Sequence, residues 1–158
     1  RIALTSVNAS GCCGEGSFMW QGKGAETLYV ILKYQRAWFS HKMDRYIGRE
    51  NELPFDQHGL MAAVAPRALL MTESLDDVWA NPEGTWQNFC AAREAYLLLG
   101  EKDSIGISYR RGKHAHSEED WSKILDFADW KLQEKKPLRK YSLNPFGSLP
   151  KAFSWSAP

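Results

Sequence analysis

Ala68-Leu69-Leu70-Met71-Thr72 is a run with a single polar side chain, preceded by Pro66 and followed by Glu73-Ser74-Leu75-Asp76-Asp77. A short run this apolar, without alternation, predicts a strand covered on both faces, as in a parallel sheet. Downstream, a loop over Glu73 to Gly84 leads to a helix ending near Leu99, with Trp86, Phe89, Cys90, Tyr96 and Leu97 at helical spacing and Gly100 as its stop signal. Ile105 to Tyr109 reads as the next strand. A loop carrying Gly112, His114 and His116 follows. Ser117 then opens a helix to about Glu134, with Trp121, Ile124, Leu125, Ala128 and Leu132 expected on its apolar face. Upstream, Asp56 is placed to cap a helix over His58 to Ala65, which Pro66 stops. Residues 25–36 are weakly helical, a second short helical segment runs from Trp38 to near Gly48, and Gly11 to Gly24 reads as a loop. Residues 2–7 are apolar and β-prone.

Strands separated by helices argue for a parallel sheet with helices on its faces, an α/β class. Three strands are few for such a sheet, and the chain opens on Arg1-Ile2-Ala3-Leu4, inside a strand pattern. Both features lead us to expect that part of the fold lies upstream. We expect one domain over residues 1–135 and an irregular tail over 136–158, where periodicity is lost.

Composition narrows the function classes. A net charge of +1 supplies no basic field, so nucleic acid is not expected as a partner. No run of residues approaches a membrane span. Three cysteines, two of them the adjacent Cys12 and Cys13, make no disulfide scaffold, and Cys90 reads as a buried thiol. Seven Trp in 158 residues is a large number, and flat amphipathic rings of this kind serve either a core or a sugar-facing surface.

In open α/β sheets the chemistry collects in loops at the C-terminal ends of strands. Three such loops occur here. The first holds Ser10, Cys12, Cys13 and Glu15; the second holds Asp76, Asp77 and Trp79; the third holds His114 and His116. An acid after one strand and a histidine after the next is the order in which α/β hydrolases present the last two members of their triad. The histidine serves as general base and the carboxylate fixes its tautomer.

The segments Leu53-Pro54-Phe55-Asp56-Gln57-His58, Ala65-Pro66-Arg67, Trp79-Ala80-Asn81-Pro82, Gly112-Lys113-His114 and Asp120-Trp121, with Leu125-Asp126-Phe127-Ala128-Asp129, occur in one order. Together they resemble the glucuronoyl esterases, carbohydrate esterase family 15, over about residues 1–133. The resemblance implies the C-terminal half of an α/β-hydrolase fold and a serine esterase that cleaves 4-O-methyl-glucuronoyl esters joining xylan to lignin alcohols. It implies no metal and no organic cofactor, and a secreted or periplasmic location. The family's nucleophile sits in an elbow that would precede Arg1, so the missing N-terminal half of the same domain is the implied partner; Gly11-Cys12-Cys13-Gly14 is the loop after the first strand.

Many members carry the triad acid as Glu directly before a Ser-Gly pair. The matching residue here is Ala9, before Ser10-Gly11. The resemblance then moves the acid to Asp77, with Asp76 as the alternative and Glu15 behind them. A loop Asp capping the next helix is the structural alternative for that pair. Gly112-Lys113 favours His114 as the base; the fungal pattern of two histidines two apart favours His116. The histidine not used is expected to hydrogen-bond the loop. Trp79 resembles the aromatic that packs on the sugar. Glu26 and Gln35 resemble hydroxyl-binding residues, Glu26 otherwise serving as a charge at a helix N-terminus. His58 is expected to bond to backbone rather than line the cleft, and His41 to face solvent. Two rivals stand beside this reading: another carbohydrate esterase such as an acetyl-xylan esterase, and a carbohydrate-binding homologue without activity.

Overall fold

A computed structural model describes residues 2–158; Arg1 and the side chain of Cys13 lie outside the described residues. Its strands are β1 (Leu4–Asn8), β2 (Ala68–Ser74) and β3 (Ile105–Arg110), and its helices are α1 (Leu28–Tyr34), α2 (His58–Ala62), α3 (Pro82–Leu98) and α4 (Glu118–Gln133). Single 3-10 turns cover Gly11–Cys13 and Val78–Ala80, and three more follow α1 before Leu53. The sheet order is β1-β2-β3, all parallel, with Leu4 opposite Ala68 and Leu69 opposite Ile105.

β2 is buried at all seven positions, as a central parallel strand must be. Its side chains alternate between faces. Leu69 and Met71 join Met61, Phe89, Ala92, Tyr96, Ile105 and Ile107 under α2 and α3. Ala68 and Leu70 join Ile124, Phe127 and Tyr141 under α4. Gly106 admits that second layer: a Cβ there would stand 2.9 Å from the Phe127 ring and 3.0 Å from Tyr141 Cβ. The segment between β1 and α2 has its own small core of Cys12, Phe18, Leu28, Ile31, Leu32, Met43 and Leu53.

Helix ends follow the local chemistry. Asn81, left-handed at φ 62°, accepts from Gly84 N at the start of α3, with Pro82 in the first turn. At its end, Gly100 N reaches Leu97 O and Glu101 N reaches Tyr96 O, a Schellman closure around a glycine at φ 75°. Ser117 and Asp120 form a reciprocal capping box on α4.

Four sequence expectations are corrected. Asp56 does not cap α2: its carboxylate accepts Ser17 Oγ (2.6 Å), Phe18 N and Met19 N, tying the first loop to the turn before the helix. The buried face of α4 is Asp120, Lys123, Ile124 and Phe127, whereas Trp121, Leu125 and Leu132 are exposed. Two charged side chains can lie on that face because each is paired: Asp120 with Arg110, and Lys123 with Glu119 and with Tyr109 O. Glu73 and Ser74 belong to β2 rather than to the loop, since Thr85 Oγ and Ser74 N satisfy the buried Glu73 carboxyl. The Trp residues form no core of their own: none of the seven is fully buried, and only Trp86 and Trp130 pack, half-buried, against the cores of the sheet.

The tail folds back on this frame. Ser142 bridges Ile107 of β3, Gln87 of α3 binds Pro150 O and Ala152 N, and Phe153 and Trp155 close over His58.

Candidate active site

The three loops predicted to carry chemistry converge at the C-terminal edge of the sheet. His114 Nδ1 lies 2.7 Å from Asp77 Oδ2. The carboxylate is 10% exposed and the imidazole 74%. A buried acid fixing one ring nitrogen leaves Nε2 directed outward, the disposition a general base needs. The pair opens into a cleft of about 440 Å³ whose lining includes Ala9, Ser10, Glu26, Gln35, Trp79 and His114.

The remaining acids are elsewhere. Asp76 accepts Gly112 N at 2.7 Å and Arg111 Nη1 at 2.8 Å, and its backbone carbonyl accepts Lys113 Nζ. The Gly112 amide, then Arg111, hold its carboxyl below the usual range. It anchors the histidine loop instead of meeting the histidine. Neither Asp76 nor Asp77 caps a helix through its side chain; Asp77 precedes the 3-10 turn with no such bond. Glu15 is fully buried and bonded to its own loop through Ser10 N. Ala9 lies in the cleft wall at φ 40°, in the left-handed region, with its amide on Thr72 O.

His116 stacks on Trp121, with centroids 4.8 Å apart, and no hydrogen bond to the loop accompanies that contact, contrary to expectation. His58 neither lines the cleft nor bonds to backbone. Its ring sits between Phe153 and Trp155 with Nδ1 buried and without a partner, and burial pushes its pKa down. His41 is exposed beside Arg36, as expected. The Cys90 thiol is half-buried rather than buried, and desolvation pushes it up to about 11.

Glu26, Gln35 and Trp79 meet in the cleft although they are far apart in sequence. Glu26 N bonds to Trp79 O at 3.1 Å, joining two cleft walls, and its carboxylate faces the Cys12 thiol at 3.6 Å. It directly precedes Thr27, the cap of α1, and lies outside that helix's first turn, which holds no acid. Gln35 is the residue that ends α1 and is exposed. Trp79 is 51% exposed, a ring face available to a ligand.

Three residues escaped sequence reading. Trp38, 64% exposed, lines the same cleft three positions after Gln35, and an aromatic at the start of a short helical segment was its only signal. Arg110 and Asp120 hold the histidine loop. The guanidinium bonds to Asp120 and to the carbonyls of Arg111, Lys113 and Ala115, so it grips the backbone on both sides of His114. Ser74 Oγ adds a bond to Gly112 O. Among the described residues no three His, Cys, Asp or Glu side chains converge as a metal site requires, and no helix is long and apolar enough to cross a membrane.

Comparison with known proteins adds a family. Residues 1–100 match the family model described as "Glucuronyl esterase, fungi". A 4-O-methyl-glucuronoyl methylesterase 1 of Phanerochaete chrysosporium is 37% identical over 122 residues, which cover 73% of this chain and 25% of that protein. A family 15 carbohydrate esterase, a glucuronoyl esterase from Caldicellulosiruptor kristjansonii, superposes on 100% of this chain and 44% of its own at TM-score 0.91 and 37% identity. A substituted glucuronoyl esterase from Sporotrichum thermophile, solved in complex with methyl 4-O-methyl-β-D-glucopyranuronate, superposes at TM-score 0.74 and 25% identity, over 86% of this chain and 38% of its own. The chain thus spans a quarter to less than half the length of these relatives. Its three parallel strands and flanking helices have the α/β-hydrolase architecture of those esterases.

Proposed function

The chain belongs to the glucuronoyl esterases, and from that premise we propose that it carries the base and the acid of a serine carboxylesterase acting on uronate esters of plant or algal polysaccharide. The 2.7 Å contact between His114 Nδ1 and Asp77 Oδ2, at the mouth of the cleft, is the observation that carries this reading. On this reading the nucleophile is the serine that the family carries in its elbow.

The serine attacks the ester carbonyl while His114 Nε2 accepts its proton; the alcohol leaves with that proton, and an acyl-enzyme remains. Water then attacks the acyl group, again delivering its proton to Nε2, and the uronic acid and free serine are released. Asp77 keeps the Nδ1–H tautomer and stabilises the imidazolium. Trp79 offers a face to the sugar ring, and Glu26 and Gln35 offer hydrogen bonds to its hydroxyls. The methyl 4-O-methyl-glucopyranuronate bound by the Sporotrichum relative supports a uronate ester as substrate. Its polymeric carrier would lie outside cells, so a secreted or periplasmic location goes with this reading.

The test is hydrolysis of methyl and benzyl glucuronate by the full-length protein, beside an acetylated xylan. Release of methanol or benzyl alcohol is expected. A folded protein that hydrolyses neither uronate ester overturns the proposal, and turnover confined to acetyl groups assigns the acetyl-xylan alternative.

A further inference from the structure

Two buried carboxyl groups lie under the cleft and take no direct part in the scheme above. Glu15 comes from the loop after β1 and Glu73 from β2; they are 0% and 1% exposed. Glu73 is satisfied on both oxygens, by Thr85 Oγ1 at 2.7 Å and Ser74 N at 3.3 Å. Glu15 makes a reciprocal clasp with Ser10. Ser10 N donates to Glu15 Oε1 at 3.2 Å, and Glu15 N donates to Ser10 Oγ at 2.9 Å. Asn88 Nδ2 of α3 holds Glu15 O at 2.9 Å. Glu15 Oε2 is buried without a donor. As a carboxylate oxygen it would carry charge in an apolar site; as a hydroxyl it becomes a donor itself.

The loop closed by this clasp has no slack. A Cβ at Gly14 would fall 2.1 Å from Ser10 Oγ, and one at Gly16 would fall 2.8 Å from Gly11 C and O and 2.9 Å from Ala80 O. Ala80 N in turn bonds to Asp77 O at 3.0 Å. The path from Glu15 to the catalytic acid therefore runs through close-packed backbone.

We propose that Glu15 is a positioning residue: its buried carboxyl closes the Ser10–Gly16 loop beneath the cleft, and that loop, packed on Ala80, fixes Asp77 and with it His114. The inference rests on the esterase reading for its kinetic readout but not for its spectroscopic one. The neutral carboxyl is the form that closes the loop. Burial, then the neighbouring Glu73, pushes Glu15 well above the carboxylate range, and burial pushes Glu73 up to about 8. The groups facing the pair are Tyr109 and Arg110 of β3, Asp77 of the second loop, and Asn88 of α3, with His58 of α2 behind Asn88 and Cys90 of α3 beside Tyr109. Of these, Asp77 raises Glu73 and Arg110 lowers it. The acid is raised on folding, so its contribution to stability is complete below the unfolded carboxyl range and is lost as pH climbs through the folded value.

Glu15→Gln and Glu15→Leu in the full-length protein test this. The Gln variant keeps a side-chain oxygen for Ser10 N and cannot ionise. It is expected to keep kcat within about twofold at pH 6 and to lose less activity and less melting temperature than wild type as pH is raised from there to the alkaline limit of the wild-type fold. The Leu variant cannot hold Ser10 N and is expected to lose about a hundredfold in kcat with little change in KM, as a small misplacement of catalytic groups does. Its His114 imidazole NMR resonances are expected to move while those of the Gln variant stay. Superimposable pH profiles of wild type and Glu15→Gln, in both melting and activity, overturn the proposal. So does a folded Glu15→Leu protein with unchanged kcat and unchanged His114 resonances. If Glu15→Leu does not fold, the Gln profiles decide. If the wild type hydrolyses no ester, the esterase reading falls, and the melting profiles with the His114 spectra still decide the role of Glu15.

Discussion

Arg110 Nε and Asp120 Oδ2 stand 2.6 Å apart with side chains 5% and 0% exposed, at the base of the loop that presents His114. Removing one member of a buried pair strands the other charge and costs about 3–5 kcal/mol. Arg110→Met and Asp120→Asn are each expected to lose stability on that scale in urea unfolding. Arg110→Met should also lose activity under conditions where it remains folded, because the carbonyls of Lys113 and Ala115 lose their donor. Burial raises the Asp120 carboxyl, but bonds from Ser117 and Arg110 outweigh it, and the net direction is down. The depressed acid stabilises the fold above its unfolded value, and that contribution disappears as pH falls through the folded one. Acid unfolding of Asp120→Asn should accordingly be less steep than that of wild type.

Asp77→Asn keeps the shape of the side chain but favours the wrong imidazole tautomer. A fall of about 10³–10⁴ in kcat/KM is expected, with the melting temperature nearly unchanged. Asp76→Asn, removing a carboxylate that holds Gly112 and Arg111, is expected to cost less than about tenfold. Steady-state kinetics on a uronate methyl ester compares them, and the reverse order would assign the catalytic acid to Asp76.

His116→Ala removes a ring that packs on Trp121, away from the Asp77 contact that His114 makes. Activity within about threefold of wild type is expected, against a loss of about 10³-fold or more for His114→Ala. Equal losses would contradict the choice of His114.

Gly16→Ala introduces a methyl group against backbone on two sides. A destabilisation of about 1–3 kcal/mol is expected, as for overpacking of a tight site, read from thermal or urea unfolding. A neutral result would mean that the first and second loops are free to separate.

Much of this architecture was legible in the sequence, for particular reasons. β2 announces itself because a central parallel strand is apolar on both faces, and β3 because its Ile105 and Ile107 alternate toward the core. Asp77 and His114 were legible because strand order places their loops side by side. The face of α4 was not: positions 120, 123, 124 and 127 have helical spacing, but two of them carry charges that only tertiary pairing can bury, so the exposed Trp121, Leu125 and Leu132 looked like the core face. Arg110 at a strand end has no local mark that distinguishes it from a solvated arginine; its role depends on carbonyls in a loop whose path the sequence does not state. Asp56 shows the same limit. An acid two residues before a helix resembles a cap; besides the adjacent Gln57 N, its donors lie 37 to 39 positions upstream.

The His58 ring lies 4.3 Å from the Phe153 centroid and 4.7 Å from the Trp155 centroid. Ring currents from both must displace its proton resonances from those of a solvated histidine. A single imidazole line therefore reports whether the last residues of the chain are seated, in a spectrum recorded without substrate and unaffected by events in the cleft.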